Sequence, residues 1–281
     1  MRKVICGDAV KILAELESES IDAVITDPPY PMIKRDYGML TVEEWWSLMI
    51  EGIVPEVRRL LKPTGSAVFI LQPNSEHVGQ MRGWLWEFMA WICREWNMIQ
   101  DVWWWNPATI PSGVCNPRSR GLLRASVKSC VWCGSSICYR QQDAILWAEA
   151  DSSRARYTCA RAGRPNHPSG QSADLTKICN ANIERGGVTP FNLIPIGNTA
   201  AHNSAGAYGH SAGTPLKLAD WWTRYVVPLG GIVLDPFFGS GTMGVAALQN
   251  GCSIIGIDKE PQYCEIAEKR LQDIKIQLRL I

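Results

Sequence analysis

Short apolar runs alternate with amphipathic stretches over most of the chain. Val4-Ile5-Cys6 stops at Gly7-Asp8, and the residues that follow place Val10, Leu13, Ala14 and Leu16 on one helical face. Ile21 to Thr26 reads as a buried strand, halted by Asp27-Pro28-Pro29-Tyr30, where two prolines forbid both a ladder and a helix. The pattern then predicts a helix over 41–61 kinked at Pro55, a turn at Lys62 to Gly65 and a strand from Ser66 to Leu71. Residues 75–96 read as one aromatic-rich helix, and Met98 to Trp105 as a strand.

From Asn106 to about Asn203 the periodicity loosens. Pro, Ser, Gly, Arg and Asn dominate, with short strands expected near 127–133, 136–140 and 144–148. Alternation returns at 214 with a helix over 216–227, a strand over 231–234, a helix over 241–249, a strand over 253–257 and a helix over 261–275. Such alternation gives an α/β fold, a mostly parallel twisted sheet with helices on both faces. The expected organisation is a catalytic domain assembled from 1–105 and 204–281, with 106–203 as an irregular insertion used for recognition.

Composition narrows the class. With 46% hydrophobic and 20% charged residues, disorder, coiled coil and fibre are excluded. A net charge of +1 excludes a simple polycation, yet residues 102–180 hold ten Lys/Arg against four Asp/Glu, a local charge of +6. Arg118, Arg120, Arg124, Lys128 and Arg140 belong to that stretch. The 13 tryptophans suit a large core or stacking surfaces, and clusters such as Trp103-Trp104-Trp105 are more often core. Met1-Arg2-Lys3 leads into no signal-peptide core, and no uncharged apolar run reaches spanning length, so a cytoplasmic protein with no membrane partner is expected. Ten cysteines then read as thiols; Cys130 and Cys133 form one C-x-x-C without the second pair or spaced histidines of a zinc site, and no metal is expected.

Two loops carry candidate chemistry. Gly231 to Gly244 runs strand, glycine turn, helix, and glycines at that turn let a ligand approach the backbone at a helix N-terminus. Asp258 ends the next strand, 19 residues after Gly239, positioned for the hydroxyls of a ribose. Gly239, Gly241 and Gly244 also fit G-x-G-x-x-G, which keeps a nicotinamide-dependent oxidoreductase open, as any adenosine-type ligand would suit the pattern. Asp27-Pro28-Pro29-Tyr30 sits at the carboxyl end of a predicted parallel strand. A carboxylate and a proline carbonyl are acceptors held rigid by two prolines, and Tyr30 offers a flat face; the set suits a planar base with an exocyclic amine. A proline-rich turn with a capping aspartate is the plainer alternative.

Together Asp27-Pro28-Pro29-Tyr30 and Asp235-Pro236-Phe237-Phe238-Gly239-Ser240-Gly241-Thr242 resemble the amino-methylating DNA methyltransferases. Their order, catalytic loop first, is similar to the permuted beta class of that family. The resemblance implies a Rossmann-like methyltransferase fold and S-adenosylmethionine as cofactor. It assigns Asp27, the Pro28 carbonyl, Pro29 and Tyr30 to the target base, and Asp8, Asp235, Phe237, Gly239, Gly241, Thr242 and Asp258 to the cofactor. The implied partner is double-stranded DNA with one base flipped out, bound by a monomer or homodimer, with Arg118, Arg120, Arg124, Lys128 and Arg140 on its phosphates. Asp at the first loop position implies the N6 amine of adenine, with N4 of cytosine the alternative; a catalytically silent DNA-binding protein is a third reading. Phe238 stands where the family commonly has Ala, and Thr214 where its His-Pro-Thr-x-Lys-Pro run has lysine, so Thr214 and His210 take either a cofactor role or, for Thr214, a helix cap. Phe238 and residues 31–37 are expected to set the width of the base pocket.

Overall fold

The structure is a computed structural model that describes residues 1–35, 38–107, 123, 125–148, 175–198, 213–272 and 274. Two compact units divide the chain: Met1–Arg140 with Asn192–Ile281, and Gln141–Phe191.

The strands of the first unit are β1 (Arg2–Cys6), β2 (Ile21–Thr26), β3 (Leu61–Leu71), β4 (Ser75–His77), β5 (Gln80–Met81), β6 (Met98–Trp105), β7 (Val127–Gly134), β8 (Leu193–Pro195), β9 (Ile232–Asp235) and β10 (Ser253–Asp258). β4 and β5 pair alone; the other eight form one sheet in the order β1-β10-β9-β2-β3-β7-β6-β8. Only β7 runs antiparallel to its neighbours. β2 is buried at every residue: Ile21, Ala23, Val24 and Ile25 are apolar, and its two polar side chains are paired, Asp22 with Lys62 at 2.9 Å and Thr26 with Asp235, as suits a strand covered by helices on both sides.

Helices α1 (Ala9–Glu15), α2 (Val42–Trp46), α3 (Val54–Leu60) and α4 (Trp84–Glu95) pack on one face. Their core centres on Trp45, whose ring centroid lies 4.7 Å from Trp84 and 5.3 Å from Phe88, both edge-on. Within the second unit, α5 (Leu175–Arg185) carries Arg185, which holds Asp143 at 2.7 Å. The first unit closes with α6 (Leu216–Val226), α7 (Thr242–Gln249) and α8 (Pro261–Gln272). On α6 Trp222 is buried, 5.9 Å from Trp132 of β7, so these tryptophans are core.

β9 and β2 lie side by side, yet the chain leaves β9 through α7 to β10 and leaves β2 in the other direction to β3. That reversal opens a crevice beyond the carboxyl ends of these two strands, where open α/β sheets bind ligands. Both sequence motifs emerge there.

Several elements differ from the sequence expectation. The kink expected at Pro55 is a π-helical turn over Ser47–Ile53. Pro55 has no N–H for the Glu51 carbonyl, and the chain widens ahead of it, with the Val54 N–H reaching Met49 O. β3 runs through the turn expected at 62–65, its register to β2 slipping between Ile21 and Ala23. The helix expected from residue 75 starts at Trp84, because Gly79 at φ +85° makes a hairpin turn that no helix accommodates. Residues 136–140 form no strand, and 142–145 form a 3-10 helix. Val127–Gly134, expected inside the insertion, is instead a central strand: Ser129 to Gly134 are all buried between β3 and β6. Leu193–Pro195, read as irregular, adds β8 at the edge. Among the described residues no helix is long and apolar enough to cross a membrane.

Candidate active site

The β2–β9 pairing sets Ala23 opposite Val233 and Val24 opposite Leu234, so the next residues of both strands leave the sheet together. Thr26 Oγ1 donates to Asp235 Oδ1 at 2.7 Å and stitches the two ends. Above them lies a cavity of about 710 Å³, a size suited to a small-molecule site. Asp8, Asp27, Pro28, Pro29, Tyr30, Asp235, Phe237, Gly239, Thr242 and Asp258 all line it.

On one side is the glycine loop. Gly239 and Gly241 take φ of +49° and +82°, a region L side chains rarely adopt, and a Cβ on Gly241 would lie 3.0 Å from the Ala267 side chain. Gly241 itself stands behind the cavity wall. The Asp258 carboxylate accepts from Gly239 N at 2.7 Å and from Glu260 N at 2.9 Å, so it fixes the loop as well as facing the cavity. Asp235 is 3% exposed; burial pushes its carboxyl up to about 7, against the lowering hydrogen bonds from Thr26 and Phe237 N. Asp8 caps α1, accepting from Lys11 N at 3.1 Å, with its side chain exposed at the cavity rim.

Phe238 lines the cavity, but its ring is turned into the core. It is buried, and Cβ atoms on Gly256 and Gly244 would come within 2.3 and 2.6 Å of its ring. The ring seats on two bare glycine backbones, which accommodates Phe where Ala is common.

Sequence patterns alone do not single out Arg270. Its guanidinium is buried and donates to the Ser240 carbonyl, to Ser240 Oγ at 3.0 Å and to Thr242 Oγ1 at 3.4 Å, bracing the loop from α8. The one signal for it is periodicity: Tyr263, Ala267 and Arg270 share one stripe of that helix.

On the other side is the Asp-Pro-Pro-Tyr loop. The Pro29 carbonyl is taken by Trp45 Nε1 at 2.8 Å. Among the described residues nothing donates to the Pro28 carbonyl, which leaves one rigid acceptor beside Asp27. Asp27 Oδ1 accepts from the Tyr30 hydroxyl and Oδ2 from Thr214 Oγ1 at 2.6 Å. Burial, then the Asp27 charge, pushes the Tyr30 phenol well up, so it stays a donor at neutral pH. The expected face-only role of Tyr30 is therefore incomplete.

Lys128 departs from the expected phosphate contact. It is the second residue of β7, whose antiparallel course brings this N-terminal end to the carboxyl ends of the parallel strands. Its Nζ donates to Tyr30 Oη at 2.9 Å, lies 3.5 Å from Asp27 Oδ2 and stands 5.0 Å from the Trp104 ring centre. Arg140, exposed, donates to the Ser136 and Cys138 carbonyls of its own turn. Arg118, Arg120, Arg124 and His210 lie outside the described residues.

The arrangement joins a left-handed glycine loop at a helix N-terminus to the Asp27 carboxylate and the Pro28 carbonyl in one cavity. The N6/N4 methyltransferase family model, described as DNA methylase, matches residues 21–269. Type II methyltransferase M.PvuII from Proteus hauseri is 25% identical over 289 residues, spanning 96% of this chain and 83% of that protein. The solved PvuII DNA methyltransferase, described as cytosine-N4-specific, gives a TM-score of 0.72 at 22% identity over 98% of this chain and 88% of its own. A chain described as a DNA modification methylase from Thermus thermophilus, solved with S-adenosyl-L-methionine, gives 0.59 at 19% identity over 99% of both. The sheet, with its one antiparallel strand, has the Rossmann-like methyltransferase fold of these neighbours. Matched from β2 into its last helix, the chain belongs to the N6/N4 family of amino-methylating DNA methyltransferases.

Proposed function

We propose that the protein transfers a methyl group from S-adenosylmethionine to the exocyclic N6 amine of an adenine flipped out of double-stranded DNA. The observation that carries this is the open Pro28 carbonyl beside the Asp27 carboxylate, across one cavity from the glycine loop. The loop residues fit the cofactor: Gly239 leaves the backbone bare at the cavity, Asp258 presents carboxylate oxygens, and buried Asp235 sits at the turn. Bound there, the cofactor supplies a methyl carbon made electrophilic by its sulfonium.

An exocyclic amine is a poor nucleophile because its lone pair is delocalised into the ring. Asp27 and the Pro28 carbonyl accept its two N–H bonds, which favours a pyramidal nitrogen whose lone pair points away from both acceptors. The new N–C bond forms as the S–C bond breaks, and Asp27 takes the proton the nitrogen sheds. Tyr30 offers a ring face to the flipped base, and stacking worth roughly 1–3 kcal/mol offsets part of the cost of flipping. The basic stretch of residues 102–180 is the proposed track for DNA phosphates. Adenine is preferred because Asp27 opens the motif; the likeness to a cytosine-N4-specific enzyme favours N4 of cytosine as the second reading.

Asp27→Ala tests the site: methyl transfer should vanish while S-adenosylmethionine affinity stays within several-fold, and retained turnover removes Asp27 from the chemistry. Mass spectrometry of nucleosides from methylated DNA decides the base. N6-methyladenine alone supports the adenine reading, and N4-methylcytosine alone replaces it with the second.

A further inference from the structure

We propose that Lys128 reads the target base, donating from its ammonium to the ring nitrogen that adjoins the methylated amine. The inference rests on the methyltransferase reading above and goes beyond it, because the acceptors Asp27 and Pro28 recognise only the amine.

Lys128 is set in place from three directions. Its backbone pairs with Trp104 across β6 and β7, its ammonium stands 5.0 Å from the Trp104 ring centre, and it donates to Tyr30 Oη at 2.9 Å. Nζ is 5.2 Å from the Tyr30 ring centre and 2.9 Å from the hydroxyl, so it sits at the hydroxyl end of the ring and not over its centre. The side chain is only 21% exposed. Most of the methylene stem is thus held, and the charged end is delivered to the cavity wall.

An ammonium has three donors and no acceptor. The Tyr30 hydroxyl takes one; the remaining charge faces Asp27 Oδ2 at 3.5 Å, longer than a hydrogen bond. The cavity therefore presents an acceptor, the Asp27 carboxylate, beside a donor, the Lys128 ammonium. Adenine and cytosine carry the complementary pair on their Watson–Crick edge, an amine beside an unprotonated ring nitrogen, N1 in adenine and N3 in cytosine. Guanine and thymine carry an oxygen where the amine should be and an N–H at that ring position, which would oppose Lys128 donor to donor. Lys128 thus selects amino bases and fixes the rotation of the base in its plane. A role as a mere counter-ion of Asp27 would not distinguish one ring atom from another.

The test uses duplex oligonucleotides containing the enzyme's recognition site, established by direct sequencing of DNA methylated by the full chain. In one duplex the target base is natural; in the other its ring nitrogen is replaced by C–H, as 1-deazaadenine or 3-deazacytosine according to which base is methylated. Wild type should lose about 10- to 100-fold in kcat/KM on the deaza duplex, the range for a hydrogen bond to a charged group. Lys128→Met should lose about 10- to 100-fold less than wild type on the same replacement. The deaza ring also changes amine reactivity, but equally for both proteins, so the ratio of ratios isolates Lys128. If Lys128→Met turns over neither duplex, their equilibrium affinities with S-adenosylhomocysteine present carry the same comparison. A deaza penalty as large in Lys128→Met as in wild type, or none in wild type, overturns the proposal while leaving the methyltransferase reading intact. Failure of wild type to methylate any DNA removes that reading first.

Discussion

Thr214 Oγ1 donates a 2.6 Å hydrogen bond to Asp27 Oδ2 across 187 residues of chain. It does not cap a helix, since the N-cap of α6 is Pro215 with no side-chain cap, and it lines the cavity it shares with the glycine loop. Thr214 is 6% exposed and joins the segment before α6 to the Asp-Pro-Pro-Tyr loop, holding the rotamer of the carboxylate proposed to meet the amine.

Thr214→Val keeps the shape and removes the donor. A carboxylate that loses one of its partners turns more freely, and kcat should fall about tenfold, the effect of roughly 1–2 kcal/mol for one such hydrogen bond. Cofactor affinity by calorimetry should stay within twofold, and Thr214→Ser should restore most of kcat. Equal losses in kcat and in cofactor affinity would place Thr214 in the cofactor pocket instead.

Asp258→Ala should weaken cofactor binding by loosening the glycine loop as well as by removing the proposed ribose contact. Gly239 N and Glu260 N both lose their acceptor, and the left-handed glycine loop loses its tie to β10. The expected cost is about 1.5–3 kcal/mol in affinity. Hydrogen exchange at residues 237–242 should quicken in the cofactor-free protein. Unchanged exchange would reduce Asp258 to a simple ligand contact.

Much of this is legible in the chain because strand runs such as Ile21 to Thr26 are mostly apolar and both motifs sit at strand ends. The site residues expected from the two loops do line one cavity, Gly241 excepted. What cannot be read is what long-range pairing decides. Lys128 lies 98 residues from Tyr30 along the chain. Antiparallel insertion of β7 between β3 and β6 brings the two together, a placement no local pattern encodes. A lysine in a basic stretch reads as solvated until the sheet order is known. The hairpin at Ser75–Met81 is hidden for another reason, since polar residues there match either period and only Gly79 marks the turn.

Phe238 and Gly256 are a size-matched pair. A Cβ on Gly256 would meet the Phe238 ring at 2.3 Å, inside van der Waals contact with a buried and rigid group. Gly256→Ala should therefore lower the melting temperature by several degrees. Phe238→Ala alone should cost about 3–5 kcal/mol through the cavity it leaves. The double variant should be more stable than the sum of the two losses, because the new methyl occupies space the ring vacated. Additive losses would show that the ring relaxes elsewhere when Gly256 is changed.

Asp235 should give stability an unusual slope with pH. Burial first, then the charges of Asp258 and Asp27, raise its carboxyl from 3.8 to about 7, outweighing the hydrogen bonds from Thr26 and Phe237 N. Between those two values the folded protein keeps a proton that the unfolded chain has released. The contribution is therefore complete below about pH 4, is lost progressively as pH rises to about 7, and is flat above that. Asp235→Asn retains an oxygen acceptor for Thr26 and Phe237 N and removes the titration. Urea unfolding at half-unit steps should show wild type losing up to about 4 kcal/mol more than the variant between pH 4 and 7, because one pKa unit is worth about 1.4 kcal/mol. Parallel curves across that window would mean that Asp235 is ionised in the fold, with its charge held by Thr26 and the Phe237 amide rather than penalised by burial.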